Sequence, residues 1–180
     1  GLEPKGVPNT LRGTILPFEY NNFEQLEHIV ETGKIGTIKM EVMRNAPPKD
    51  NFLKKVRKLA TDKGIVLIFD ECTSGFRESF GGIHKKYKVE PDIAMFGKAL
   101  GNGYAITAIL GKREIMNEAQ STFISSTFWT ERVGPAAALK TLEVMEKLKS
   151  WETITNIGTK IKKRWQLLAD KHELDIEQFG

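Results

Sequence analysis

Two apolar runs in this chain end at ionisable residues that glycines follow. IVLIFD (65–70) closes on Asp70, with Gly75, Gly81 and Gly82 downstream. DIAMFG (92–97) runs directly into Lys98, followed by Gly101 and Gly103. Burying an unpaired ammonium is costly, so Lys98 either lies wet where a strand meets solvent or serves chemistry that consumes an amine. Ligands of open α/β sheets bind beyond the carboxyl ends of the strands. An acid and an amine delivered there by separate strands could grip one small molecule. Glycines beside them would allow the close approach and unusual dihedrals of a ligand loop. Solvent exposure alone would explain either strand end; the two together point to a site.

Other chemistries fit less well. The apolar run into Asp70 and Glu71 also looks like the magnesium-binding strand of a P-loop ATPase, which requires G-x-x-x-x-G-K-[ST] as well. Gly97-Lys98 is followed by Ala99 and Gly111-Lys112 by Arg113, and neither has the earlier glycine at the required offset. No metal is expected, because His28, His84 and His172 are far apart and Cys72 has no partner at ligand spacing. The formal charge of +4 is spread among Glu and Asp along helical faces, which reads as a solvated surface and not a nucleic-acid patch. With Cys72 as the one cysteine, no intrachain disulfide can form, and a reducing, cytoplasmic setting is expected. The opening GLEPKGVPN lacks a signal pattern and the apolar runs are too short to span a bilayer, so no membrane role is expected.

The elements that must position these residues follow from periodicity. Asn22 to Gln25 resembles a capping box opening a helix with Leu26, Ile29 and Val30 on one face, stopped by Gly33. IGTIKMEV (35–42) alternates as a strand. Phe52, Leu53, Val56, Leu59 and Ala60 fall at helical spacing before Gly64. The continuous run 65–70 predicts a strand buried on both faces, and 92–97 repeats it. Thr14–Leu16 is a short strand candidate, YAITAIL (104–110) a further strand, and 113–120 a short helix. Two helices are predicted over 131–150 and 153–171. Strand–helix–strand succession makes the fold class α/β, with a mostly parallel sheet flanked by helices.

At this point the motifs carry a resemblance. IVLIFDECTSGFR, EPDIAMFGKALGNGYAITAILG, STFWTE and TLEVME, in that order, resemble the large domain of class III (fold type I) pyridoxal-phosphate aminotransferases, nearest the branch with glutamate-1-semialdehyde aminomutase. The resemblance covers about Gly6 to Glu146. It implies pyridoxal 5'-phosphate as cofactor. Lys98 matches the lysine that forms a Schiff base with the cofactor aldehyde and later shuttles a proton. Asp70 matches the aspartate that keeps the pyridine nitrogen protonated. Cys72 stands where an aliphatic residue commonly lies against the ring, and is expected on Asp70's side of the chain, as packing and not thiol chemistry. Thr73 replaces a glutamine that contacts the ring hydroxyl, and is shorter. Thr127 matches the threonine that binds cofactor phosphate across a dimer interface, so a homodimer is implied, with Thr127 contributing to the partner's site. The family usually continues Gly-Asn-Pro where this chain has Thr130-Glu131-Arg132; Arg132 is read as an exposed arginine and Glu41 as structural.

Within that resemblance, 1–150 corresponds to part of the cofactor-binding large domain, and 151–180 to the opening helix of a C-terminal small domain. The family's earlier phosphate loop and ring-stacking aromatic have no counterpart here, so the chain is expected to be a central part of a longer polypeptide. The implied function is amino-group transfer between small-molecule donors and acceptors, as an aminotransferase or a 2,1-aminomutase. The alternative is a catalytically incomplete or non-catalytic interaction fragment of such an enzyme. Substrate identity stays open.

Overall fold

The computed structural model describes residues 5–125, 127 and 130–179. Helix α1 (Phe23–Thr32) starts where Asn22 Oδ1 accepts the Gln25 N–H at 3.1 Å, and Gly33 caps its end. The reciprocal half of the capping box is redirected: the Gln25 side chain accepts the Glu19 N–H at 2.6 Å. Strand β1 (Thr37–Glu41) leads through α2 (Phe52–Asp62) to β2 (Val66–Asp70). Between α2 and β2 the chain turns at Gly64, whose φ of +67° suits a residue without Cβ. A short α3 (His84–Tyr87) precedes β3 (Ile93–Phe96). The sheet has the order β1-β2-β3-β4, the first three strands parallel and β4 (Ala108–Gly111) antiparallel to β3. Register places Glu41 beside Asp70 and Asp70 beside Met95, so the carboxyl ends of the parallel strands lie nearly level.

One face of this sheet makes the core. Ile38, Met40, Leu67 and Phe69 are buried against Leu26 and Val30 of α1 and the apolar stripe of α2. Burial in β2 therefore alternates: Leu67 and Phe69 have no exposure, whereas Val66 and Ile68 are half-buried. The run 65–70 predicts burial on both faces, but α1 and α2 pack on the side to which only Leu67 and Phe69 point. A second cluster joins Phe76, Ala94, Phe96 and Leu100 to Ala138. Beyond β4 come α4 (Arg113–Met116), a 3-10 turn at Asn117–Ser121, α5 (Val133–Leu148) and α6 (Ser150–Lys171). Lys149 separates the last two helices at φ +46°.

Two strand expectations need correction. Thr14–Leu16 is exposed and unpaired. Its threonine bonds back to Leu11 O through N–H and hydroxyl, at 3.2 and 2.7 Å, and Pro17 removes the next donor. The strand predicted from Tyr104 begins only at Ala108, because the Tyr104 N–H is used in the preceding turn, on Gly101 O at 3.0 Å.

The opposite edge of the sheet is held by Asp92, which is 5% exposed. Its Oδ2 accepts the Leu67 N–H at 2.8 Å and Arg57 Nη1 at 2.9 Å, and its Oδ1 accepts Lys112 Nζ at 2.7 Å. Burial pushes the carboxyl up, but the Leu67 N–H, Lys112 and Arg57 together outweigh it and hold it below its ordinary value of 3.8. A carboxyl depressed by folding adds stability that is present above its ordinary value and is lost as pH falls through the native one. Asp92→Asn should therefore lose about 1–3 kcal/mol in neutral urea melts, and the gap to the parent should close as the buffer is taken below the ordinary carboxylate range.

Candidate active site

Strand β2 ends because Asp70 turns the chain. Its Oδ1 accepts the Cys72 N–H at 3.1 Å, the side-chain-to-backbone bond by which aspartate starts a turn. Its Oδ2 pairs with Lys39 Nζ at 2.8 Å. Burial pushes the Asp70 carboxyl up, yet Lys39 and the hydrogen bonds from Cys72 outweigh it and leave it below the usual carboxylate range. Asp70 is a carboxylate at neutral pH.

Lys98 is the second residue after the end of β3, at φ +46°, a left-handed conformation uncommon for lysine. The backbone thus helps to aim the side chain, whose Nζ donates to Thr73 Oγ1 at 2.6 Å. Lys98 is exposed, as a strand-end lysine can be, and is also engaged with a polar neighbour. Between the acid and the amine lies Cys72. Its Sγ is 3.5 Å from where a Cβ on Gly97 would stand. Burial and the Asp70 charge push the thiol up, against Lys98 and Lys39. A thiol kept protonated packs and does not attack. Strand geometry does not persist past Asp70, but the thiol still reaches that carboxylate.

The structure therefore brings Asp70, Cys72, Thr73 and Lys98 together around one turn. Thr127 sits in an exposed turn outside this group, and Ser126, Phe128 and Trp129 of STFWTE lie outside the described residues. Arg132 is exposed at the start of α5. Glu41 lies level with Asp70; its Oε1 accepts Arg44 Nη1 at 3.3 Å, while its buried Oε2 has no partner among the described residues.

Two features escape sequence reasoning. One is Lys39, which alternation in TIKME places on the face of Glu41 and hence of Asp70. The other is Glu71, a carboxylate with no exposure at all. It accepts the Ser74 hydroxyl, the Ile83 N–H at 3.1 Å and the His84 N–H at 3.0 Å, and lies 2.7 Å from His84 Nδ1. Burial pushes this carboxyl up, and the four contacts, His84 foremost, bring it below its ordinary value. Gly82 is required by this packing, since a Cβ there would stand 2.6 Å from Glu71 Oε1 and overlap the His84 ring. The room it provides serves the protein's own carboxylate. No local pattern signals His84 as the partner of a residue so far upstream. Among the described residues no cluster of His, Cys, Asp and Glu could hold a metal ion, and no helix is long and apolar enough to cross a membrane.

Comparison with known proteins places this geometry in context. Residues 37–178 match the model of the family described as aminotransferase class-III. A 3-aminobutyryl-CoA aminotransferase from Cloacimonas acidaminovorans is 40% identical over 97% of this chain and 44% of its own length. A glutamate-1-semialdehyde 2,1-aminomutase from Ignicoccus hospitalis is 34% identical over 88% of this chain and 40% of its own length. Among solved structures, the PLP internal aldimine form of the FumI protein of a Sphingopyxis species superposes with a TM-score of 0.91 at 25% identity, over 97% of this chain and 44% of its own. The chain thus spans less than half the length of these relatives.

Removing Glu71 should leave His84 and two N–H groups buried without an acceptor. Glu71→Ala is expected to lower unfolding free energy by about 3–5 kcal/mol in denaturant titrations, and Glu71→Gln, which keeps the shape and part of the hydrogen bonding, by less.

Proposed function

The chain belongs to the class-III aminotransferase family, and we propose on that footing that the whole protein transfers amino groups with pyridoxal 5'-phosphate, as an aminotransferase or a 2,1-aminomutase. The observation that carries this reading is the joining of an ionised Asp70 and an accessible Lys98 amine through the Cys72–Thr73 turn. That donor set fits the cofactor: a lysine for its aldehyde, a carboxylate for its ring nitrogen, and small side chains between them. When bound, pyridoxal phosphate supplies a carbonyl for amines and a ring that accepts electrons.

In this reading Lys98 provides the amine that joins the cofactor aldehyde and, once released, moves a proton at Nζ. The Thr73 hydroxyl holds that amine in the crevice. Asp70, kept charged by Lys39 and the Cys72 hydrogen bonds, stabilises a proton on the ring nitrogen. Cys72 fills the space beside the ring. Thr127 supplies a phosphate contact to the partner's site in a homodimer. The small-molecule amino donor and acceptor meet at Lys98, and 151–180 opens a second domain. A cytoplasmic setting agrees with a lone thiol. Because the chain spans less than half of its relatives, these 180 residues alone are proposed to bind cofactor weakly and to be catalytically incomplete.

Adding pyridoxal phosphate to the complete polypeptide should give an absorbance near the violet edge that Lys98→Ala abolishes. If Lys98→Ala keeps a borohydride-reducible adduct at this site, the assignment of Lys98 is wrong. Asp70→Asn should retain the absorbance while slowing turnover by about a hundredfold or more; unchanged turnover removes Asp70 from the reaction.

A further inference from the structure

Alternation in β1 turns Ile38 and Met40 into the core and leaves Lys39 and Glu41 on the opposite face, beside the end of β2. Register sets Lys39 next to Ile68 and Glu41 next to Asp70, so Lys39 meets the Asp70 carboxylate on the diagonal. Its Nζ stands 2.8 Å from Asp70 Oδ2. The other charged and titratable groups nearby are engaged differently. Glu41 turns to Arg44 at 3.3 Å, and Lys98 donates to Thr73 at 2.6 Å. Cys72 brings a thiol whose ionisation burial and Asp70 oppose, and the β3 register partner, Met95, is uncharged. Among the described residues, Lys39 is the one cation paired with Asp70. Burial pushes the Asp70 carboxyl up, and Lys39 is foremost among the groups that bring it down.

This pairing works against the chemistry assigned to Asp70. A carboxylate raises the proton affinity of a base beside it, because its negative charge favours the protonated form. A cation on the same carboxylate opposes that, since the base then faces a pair close to neutral. If holding a proton were the only demand, an apolar residue at position 39 would serve better. The carboxylate is also nearly full. Its two oxygens offer about four acceptor sites, and Lys39, the Cys72 N–H and the Cys72 thiol already occupy Asp70. Little more than one further donor fits.

We propose that Lys39 is a positioning residue that acts through Asp70, weakening the hold of that carboxylate on the proton of the cofactor's ring nitrogen. How strongly the ring draws electrons is then set by the pair of Asp70 and Lys39, and not by the acid alone. Lys39 is half-exposed, so solvent screens its charge and the effect is moderate. The proposal rests on the amino-transfer reading for the place of the ring at Asp70, but the ion pair itself can be tested without cofactor.

The test uses the complete polypeptide, freed of cofactor and loaded with ring-labelled pyridoxine 5'-phosphate, which lacks an aldehyde and cannot join Lys98. Nitrogen-15 NMR across a pH series reads the midpoint at which the bound ring loses its proton. Lys39→Met should raise that midpoint by about one pH unit, a tenfold change in proton affinity. Lys39→Arg, which keeps the charge, should return most of the shift, and Asp70→Asn should lower the midpoint. In the unloaded protein, carbon-13 NMR should show the Asp70 carboxyl titrating at higher pH in Lys39→Met than in the parent. An Asp70 titration that Lys39→Met leaves unmoved would overturn the proposal. So would a ring midpoint that Asp70→Asn lowers and Lys39→Met leaves in place, with the amino-transfer reading intact. A midpoint indifferent to Asp70→Asn would instead sink the placement of the ring at Asp70, and the role of Lys39 with it.

Discussion

A carboxylate with no exposure is tolerable only if donors replace the water it has lost. Glu71 meets that demand with one hydroxyl, two backbone N–H groups and an imidazole. These contacts tie the end of β2 to the start of α3 and leave the intervening loop little freedom. Asp70 and Cys72 are the flanking neighbours of Glu71, and Thr73 follows. The hydrogen bonds that aim at Lys98 and surround Asp70 are thus carried on a backbone fixed by a buried charge that touches neither. The Glu71 N–H closes the frame from the other side by donating to Met95 O of β3 at 2.8 Å.

Parallel pairing supplies the second constraint. Because β1, β2 and β3 run the same way in near-level register, the residues at their carboxyl ends are presented along one edge. Glu41, Asp70 and Lys98 come to that edge from three different strands. Local charge then sets the state of each group. Lys39 reaches across from β1 and keeps Asp70 ionised, and burial together with the same Asp70 carboxylate pushes the Cys72 thiol up. One arrangement thus holds the acid charged and the thiol protonated.

The outer helices have a different character. Leu139, Leu148, Ile157, Trp165 and Leu168 stay exposed along α5 and α6, more apolar surface than isolated surface residues would account for. The buried clusters lie under α1 and α2 and around Phe76 and Phe96, where α5 contributes Ala138. Such a surface agrees with the proposed second domain and homodimer, each of which would cover part of it.

The amino-acid sequence alone determined the elements whose pattern is strong. The α2 stripe, the β2 run ending in Asp70, the β3 run before Lys98 and the Asn22 cap all follow from spacing that a short window contains. It also determined which residue types stand at the strand ends, and the order of motifs that marks the family. Tertiary structure decided what depends on partners distant in the chain. Thr14–Leu16 has strand-forming residues but pairs with no strand among the described residues, and Tyr104 spends its N–H on a turn. Val66 and Ile68 look as buried as Leu67 and Phe69 until helices are seen to pack on one face. Glu71 reads as an acid beside an acid, and only folding brings His84 and two N–H groups to it. Helix α6 and the loop after β2, distant in the chain, meet along one groove. Periodicity reports which way a side chain points; what it meets there is set by segments that sequence separation hides.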